Sequence, residues 1–268
     1  MPRACPIRIG TAGWTVPNPS AGAFPSEGSS LERYSSRFDC AEINSSFHRS
    51  HREGTWRRWA DSVPETFRFS AKLSKEITHK RRLVDCSEPL AAALAEMEGL
   101  GAKLEILLVQ LPPSFAFDPA VAAAFLTELR GRWDRHVAVE PRHPSWFEAE
   151  PEALLAGLRV ARVAADPAKV PAAAEPGGWR GLRYYRLHGS PVMYRSSYDD
   201  GRLEACARGL ASGEGQAWCI FDNTASSAAT EDALKLQAMI ASLPRSGAEW
   251  GHAKHGGGVT GSASGDSR

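Results

Sequence analysis

Apolar residues along the chain gather into eight short runs, each bounded by turn-forming or polar residues. They are IRIGTAGW (7–14), CAEINSSF (40–47), FRFSAKL (67–73), EILLVQLP (105–112), HVAVEPRH (136–143), ARVAADP (161–167), RYYRLHG (183–189) and AWCIFDNT (217–224). Runs of this length with such borders read as strands. Between most of them the apolar spacing switches to the 3.6-residue period of a helix, as in TWRRWADSV, EPLAAALAEMEGL, PAVAAAFLTELRGRW, PEALLAGLRV, LEACARGLA and TEDALKLQAMIASL, with a shorter LERYSSRF. Asp118-Pro119 and Thr230 read as helix starts. Residues 168–181, with their Ala, Pro and Gly, leave a sixth helix short or missing.

Strands alternating with helices imply a parallel sheet covered by helices. Eight such units predict an α/β fold, a single TIM-like (β/α)8 barrel over residues 1–245. An open doubly wound sheet is the rival, but its usual GxGxxG turn after the first strand is replaced here by GTAGW. Residues 246–268 hold seven glycines and no periodicity, and read as a disordered Gly/Ser-rich tail in which His252 and His255 are incidental.

Composition narrows the function. Lys plus Arg total 32 against 31 Asp plus Glu, a net charge of +1, which excludes a globally basic nucleic-acid or membrane-surface binder. The apolar stretches are too short to cross a bilayer and the first residues lack a signal-peptide run, so a cytoplasmic protein without membrane contact is expected. Five cysteines without a CxxC pair read as reduced thiols.

Side chains alternate between the two faces of a strand. Parity therefore puts Glu42 with Asn44, Ser70 with Lys72, Leu108 with Gln110, Glu140 with Arg142, and Tyr184 with Arg186 and His188; Asp166 closes the sixth run, and Asn223 shares parity with Phe221 in the eighth. Polar groups thus converge on the C-terminal rim, where barrels build their sites. One such charge would be a structural ion pair, such as Glu140 with Arg142 or Glu42 with Lys72; six or seven at one rim point to a ligand. Glu140 is the candidate general base and His188 the acid or proton shuttle, with Asp166 a further carboxylate. Lys72, Arg142 and Arg186 would hold an anion. A divalent metal on the carboxylates and His188 is disfavoured by the interleaved cations. His188-Gly189-Ser190 and Ala225-Ser226-Ser227 could admit a phosphate to free backbone N–H groups, or Thr224 and Ser226 could simply cap the last helix. His48, His51 and His79 read as loop residues, THKRR (78–82) as a wet basic surface, and Trp14 and Trp146 as lids over the core or platforms for a ring.

The ordered set GTAGW, AEINSSFH, RFSAKL with ITH, QLPPSF, VEPRHPSW, YYRLHG and FDNTASSAA resembles the YecE-like family, also called domain of unknown function 72, over residues 7–243. The resemblance implies a TIM-like barrel, similar in fold to sugar isomerases and the endonuclease IV class. It carries over Glu42, Asn44, Lys72, Thr78, His79, Gln110, Glu140, Arg142, His143, Trp146, Asp166, Arg186, His188, Gly189 and Asn223 as site positions. The chain departs from the family pattern at TVPNPSAGAFP after GTAGW, at Phe47-His48 and at Pro141. The expectation is an enzyme that isomerises or hydrolyses a small anionic or polyhydroxylated substrate. The alternatives are a nucleic-acid phosphodiester enzyme or binder, suggested by the fold analogy and THKRR, and a non-catalytic small-ligand binder.

Overall fold

The computed structural model describes residues 6–243; the predicted tail lies outside them. The strands are β1 (Ile7–Thr11), β2 (Cys40–Ile43), β3 (Arg68–Lys72), β4 (Leu104–Gln110), β5 (His136–Glu140), β6 (Ala161–Arg162), β7 (Ala164–Asp166), β8 (Gly177–Gly178), β9 (Leu182–Leu187) and β10 (Gln216–Phe221). The helices are α1 (Ser30–Ser35), α2 (Glu53–Asp61), α3 (Ser87–Met97), α4 (Pro119–Arg132), α5 (Ala149–Gly157), α6 (Asp200–Ser212) and α7 (Ala228–Ser242). All eight expected runs form strands, the sixth as the two pieces β6 and β7 on either side of Val163. The expected gap also holds: residues 168–181 carry only a 3-10 turn at Pro171–Ala174 and the short β8.

The strands form an α/β fold of TIM-barrel type, but in two sheets rather than one continuous ladder. Their orders are β1-β10-β9-β7 and β2-β3-β4-β5-β6-β8, with β8 alone antiparallel. The sheets meet at two seams. At one, β1 touches β2 through a single bridge, Ala12 to Glu42, and the Gly13 N–H donates to the Glu42 carbonyl at 2.8 Å. At the other, the ladder passes from β6 to β7 across Val163, whose N–H still donates to the Val139 carbonyl at 2.9 Å.

The two faces of the strands bury different residues. Cys40, Ile106, Leu108, Ala138, Val163, Tyr184, Trp218 and Ile220 pack together on the inner face, so the interior is a filled core. The opposite parity, including Ile9, Ile43, Phe69, Val109, Val139 and Phe221, packs against the helices. Local signals set the helix ends. Ser29 and Glu32 close a reciprocal capping box on α1, and the Asp118 side chain accepts from the Val121 N–H at 3.0 Å ahead of Pro119. The expected start at Thr230 moves: α7 begins at Ala228, and the Thr230 hydroxyl instead donates to the Thr15 carbonyl at 3.2 Å.

Candidate functional site

At the C-terminal ends of β2, β5, β9 and β10 the inner face changes from apolar to charged. Arg186, with no exposed surface, is the hub. Its Nη2 lies 2.6 Å from Glu42 Oε1 and 2.9 Å from Asp222 Oδ2, its Nη1 2.6 Å from Glu140 Oε2, and its Nε 3.0 Å from Glu42 Oε2. The Tyr184 hydroxyl, one layer below, donates to Glu42 Oε2 at 2.9 Å and shares a 2.7 Å bond with Ser70. His188 bridges two of the carboxylates, with Nε2 3.0 Å from Glu140 Oε1 and Nδ1 3.0 Å from Asp222 Oδ2. A proton on either ring nitrogen therefore has a carboxylate acceptor. Arg142 closes the set, its Nη2 2.5 Å from Glu140 Oε1 and 2.9 Å from His188 Nε2.

Burial alone would raise the Glu140 pKa, but the charges of Arg186, Arg142 and His188 override it and hold the carboxyl well below its ordinary range. Asp222 is lowered too, burial again being opposed by Arg186 and by His188. Buried charges persist only when paired this completely. Arg186 fills the space between three carboxylates that a divalent cation would need.

Lys72 is 6% and Arg142 8% exposed, while Glu42, Glu140, Arg186 and His188 are sealed. Arg142 spends one edge on the floor; its Nε is buried and unpartnered, as is the Oδ1 of half-buried Asn44. Lys72 Nζ stands 4.0 Å over the Phe47 ring, which also meets His79 edge-on at 4.9 Å. His79 reaches this position on a π-helical turn, Glu76–Lys80, with Nδ1 2.9 Å from the Thr78 hydroxyl. Half-buried Gln110 ends β4 on the same inner parity as Leu108. Asn44 also lines a groove of about 370 Å³ with Gly13, Trp14 and Ser45.

Several expected positions stand elsewhere. Asn223 points away from the floor: its Nδ2 donates to Asp232 Oδ2 at 2.7 Å and to the Ser196 carbonyl at 2.9 Å. The rim residue of β10 is its neighbour Asp222, on the parity of Trp218 and Ile220. Asp166 also faces outward, where Arg202 of α6 holds it at 2.7 Å. Arg202 is 58% exposed, so this is a surface pair worth under about 1 kcal/mol. Asp166→Asn should accordingly change the urea midpoint little and leave ligand binding at the rim intact. The Gly189 N–H is taken by the Tyr198 hydroxyl at 2.8 Å and is not free for a phosphate. Thr224 and Ser226 make no side-chain cap to α7.

Trp146 is fully buried, donating to the Phe115 carbonyl at 3.0 Å, and acts as a lid on the core; Trp14 packs on Trp59 and Phe69. His143 caps the turn Pro144–Phe147, its Nδ1 accepting from the Ser145 N–H at 3.2 Å. His51 is not solvated but 8% exposed, wedged between Trp56 and Trp59 and 2.9 Å from the Ser45 hydroxyl. Within the basic run, Lys80 and Arg81 both pair with Glu76, which offsets one of its three cationic side chains. A further residue at the rim is Tyr194, whose ring meets His188 edge-on at 5.6 Å; its loop position carried no periodic signal.

Comparison with known proteins fits this picture. A family model described as protein of unknown function DUF72 matches residues 8–251. The UPF0759 protein YecE of Escherichia coli K12 is 32% identical over 152 residues, and the match spans 54% of either chain, about half the length of that relative. A DUF72 family protein from Enterococcus faecalis V583 superposes with a TM-score of 0.74 at 20% identity, covering 88% of this chain and 95% of its own. The 3-keto-D-glucoside 4-epimerase YcjR of E. coli superposes with a TM-score of 0.50 at 12% identity over 87% and 98%, a likeness of fold alone. No helix among the described residues is long and apolar enough to cross a membrane.

Proposed function

The chain belongs to the DUF72 family, and from that premise we propose that it is an enzyme whose rim binds a small anionic or polyhydroxylated molecule and carries out proton-transfer chemistry of the isomerase or hydrolase kind. In this reading the two sheets are the wall of one (β/α)8 barrel interrupted at its seams, and the site occupies the usual C-terminal face. The observation that carries it is the half-used guanidinium of Arg142: one edge is fixed by Glu140, while Nε is buried without an acceptor. A buried donor of this kind is satisfied when an oxyanion arrives.

The roles follow from exposure. Glu140, sealed and held well below the ordinary carboxylate range, is too weak a base to begin proton abstraction; it orients Arg142 and His188. Arg142 holds the anion. Lys72 and His79, which share the Phe47 ring, are assigned contact with substrate and proton transfer, with Asn44 and Gln110 to bind its hydroxyls.

Thermal unfolding against sugar phosphates, small carboxylates, nucleotides and short oligonucleotides tests this. A ligand at a hundred times its Kd adds about 2.7 kcal/mol of stability. Stabilisation by a small anion, lost in Arg142→Ala, is expected; a response to oligonucleotides alone, or to nothing in the series, would overturn the reading.

A further inference from the structure

We propose that Lys72 is a nucleophile that forms an imine with the carbonyl carbon of a small anionic aldehyde or ketone. This rests on the anion-binding reading above and names its substrate class. Among the rim cations, Arg186 and Arg142 are committed to carboxylates, whereas Lys72 Nζ has no hydrogen-bond or ion-pair partner among the described residues. The residue also keeps 6% of its surface exposed. The amine stands over the Phe47 ring, 4.0 Å from its centre. Its backbone is fixed: the Ser46 hydroxyl donates to the Lys72 carbonyl at 2.7 Å.

Burial first, and the Arg186 charge second, lower the Lys72 pKa to about 8, against the opposing pull of Glu42, Glu140 and Asp222. A desolvated lysine beside another cation is the usual way to obtain a neutral amine near physiological pH. At pH 8 such an amine is about half neutral, on the order of a hundredfold more than an ordinary lysine of pKa about 10.4.

The step balances without an oxidant. Neutral Nζ attacks the carbonyl carbon and the C=O π pair moves to oxygen. Nitrogen releases one proton as oxygen gains one, giving a carbinolamine, and loss of water leaves the C=N bond. His79, its pKa lowered by burial and then by the Lys72 charge, is a neutral imidazole against the same Phe47 ring that can carry these protons. Arg142 would hold the substrate's anionic group while the protonated imine acidifies the adjacent C–H.

Borohydride trapping tests it on the whole chain, using glyoxylate and dihydroxyacetone phosphate as carbonyl probes and peptide mass mapping as the readout. Exposed Lys75 and Lys169 serve as internal comparators. Lys72 is expected to be labelled at least about tenfold more than either at pH 8, with yield half-maximal near the lowered pKa. Arg142→Ala is expected to reduce Lys72 labelling by the same anions. Labelling of Lys72 no greater than that of Lys75 and Lys169 would overturn the imine, while stabilisation by anions would leave the binding reading standing. Strong Lys72 labelling unaffected by Arg142→Ala would support the imine and overturn the anion site instead.

Discussion

Arg186→Met is expected to destabilise the protein by about 3–5 kcal/mol at pH 7, the range seen when one member of a buried ion pair is removed. The methionine fills most of the volume, so the loss is electrostatic. Three carboxylates, from Glu42, Glu140 and Asp222, would face one another across a site with no exposed centre. Arg142 and Lys72 remain, but of the three carboxylates Arg142 contacts only Glu140.

The pH dependence carries a sign that simple loss of packing would not. In the native chain Glu140 and Asp222 have lowered pKa values. Their contribution is fully present above the unfolded values, about 4.3 and 3.9, and is lost as pH falls through the folded values. Burial is already the largest single influence on both carboxyls, and without Arg186 it loses its strongest opposing charge, so both pKa values move up. Where they rise above the unfolded values, the folded variant binds more protons than the unfolded chain and its stability rises as pH falls from 7 towards 5, a window in which the native chain's contribution from these groups stays full and constant. Urea unfolding at pH 5 and pH 7 checks both parts; a variant equally destabilised at the two pH values would remove the electrostatic account.

Why six of the rim residues were legible in the sequence while others were not is a matter of alternation. Strands such as HVAVE and RYYRLH keep a polar residue on one parity, so Glu140, Arg142, Arg186 and His188 could be placed on the inner face, and AEIN and FSAK did the same for Glu42 and Lys72. AWCIFDN is apolar on both faces, because Trp218 and Ile220 fill the interior while Cys219 and Phe221 meet the helices. With no alternation to fix the register, parity slipped by one residue and chose Asn223 in place of Asp222. Asp166 failed for a related reason: AADP offers small residues that fit either face, and an outward carboxylate finds Arg202 one helix away. Tyr194 and the Ser45–His51 contact depend on loop paths, which strand and helix periodicity does not encode. The continuous barrel ladder was expected because eight units suffice to close one; how tightly each seam pairs depends on backbone approach, which residue pattern does not report.

Gly10→Ala probes one such seam and is expected to destabilise by about 3 kcal/mol or more, at the upper end of overpacking effects. A Cβ at Gly10 would lie 2.2 Å from the Cys40 carbonyl oxygen and 2.9 Å from its Sγ, so the obstacle is partly backbone and no rotamer change relieves it. Strand β1 must draw back from β2. Gly54→Ala is the matched control: no atom lies within 4 Å of the added carbon, the position is helical, and a gain of up to about 1 kcal/mol is expected. The seam effect should also reach the site. The same junction is secured by the bridge from Ala12 to Glu42 and by the Gly13 N–H on the Glu42 carbonyl, and the Glu42 side chain accepts two arginine contacts and one from Tyr184. Widening the seam shifts Glu42 against Arg186, loosens the floor, and admits more water around Lys72. Borohydride labelling of Lys72 at pH 8 should therefore fall towards that of Lys75 in Gly10→Ala protein that remains folded. Unchanged labelling beside a large loss of stability would separate the seam from the site.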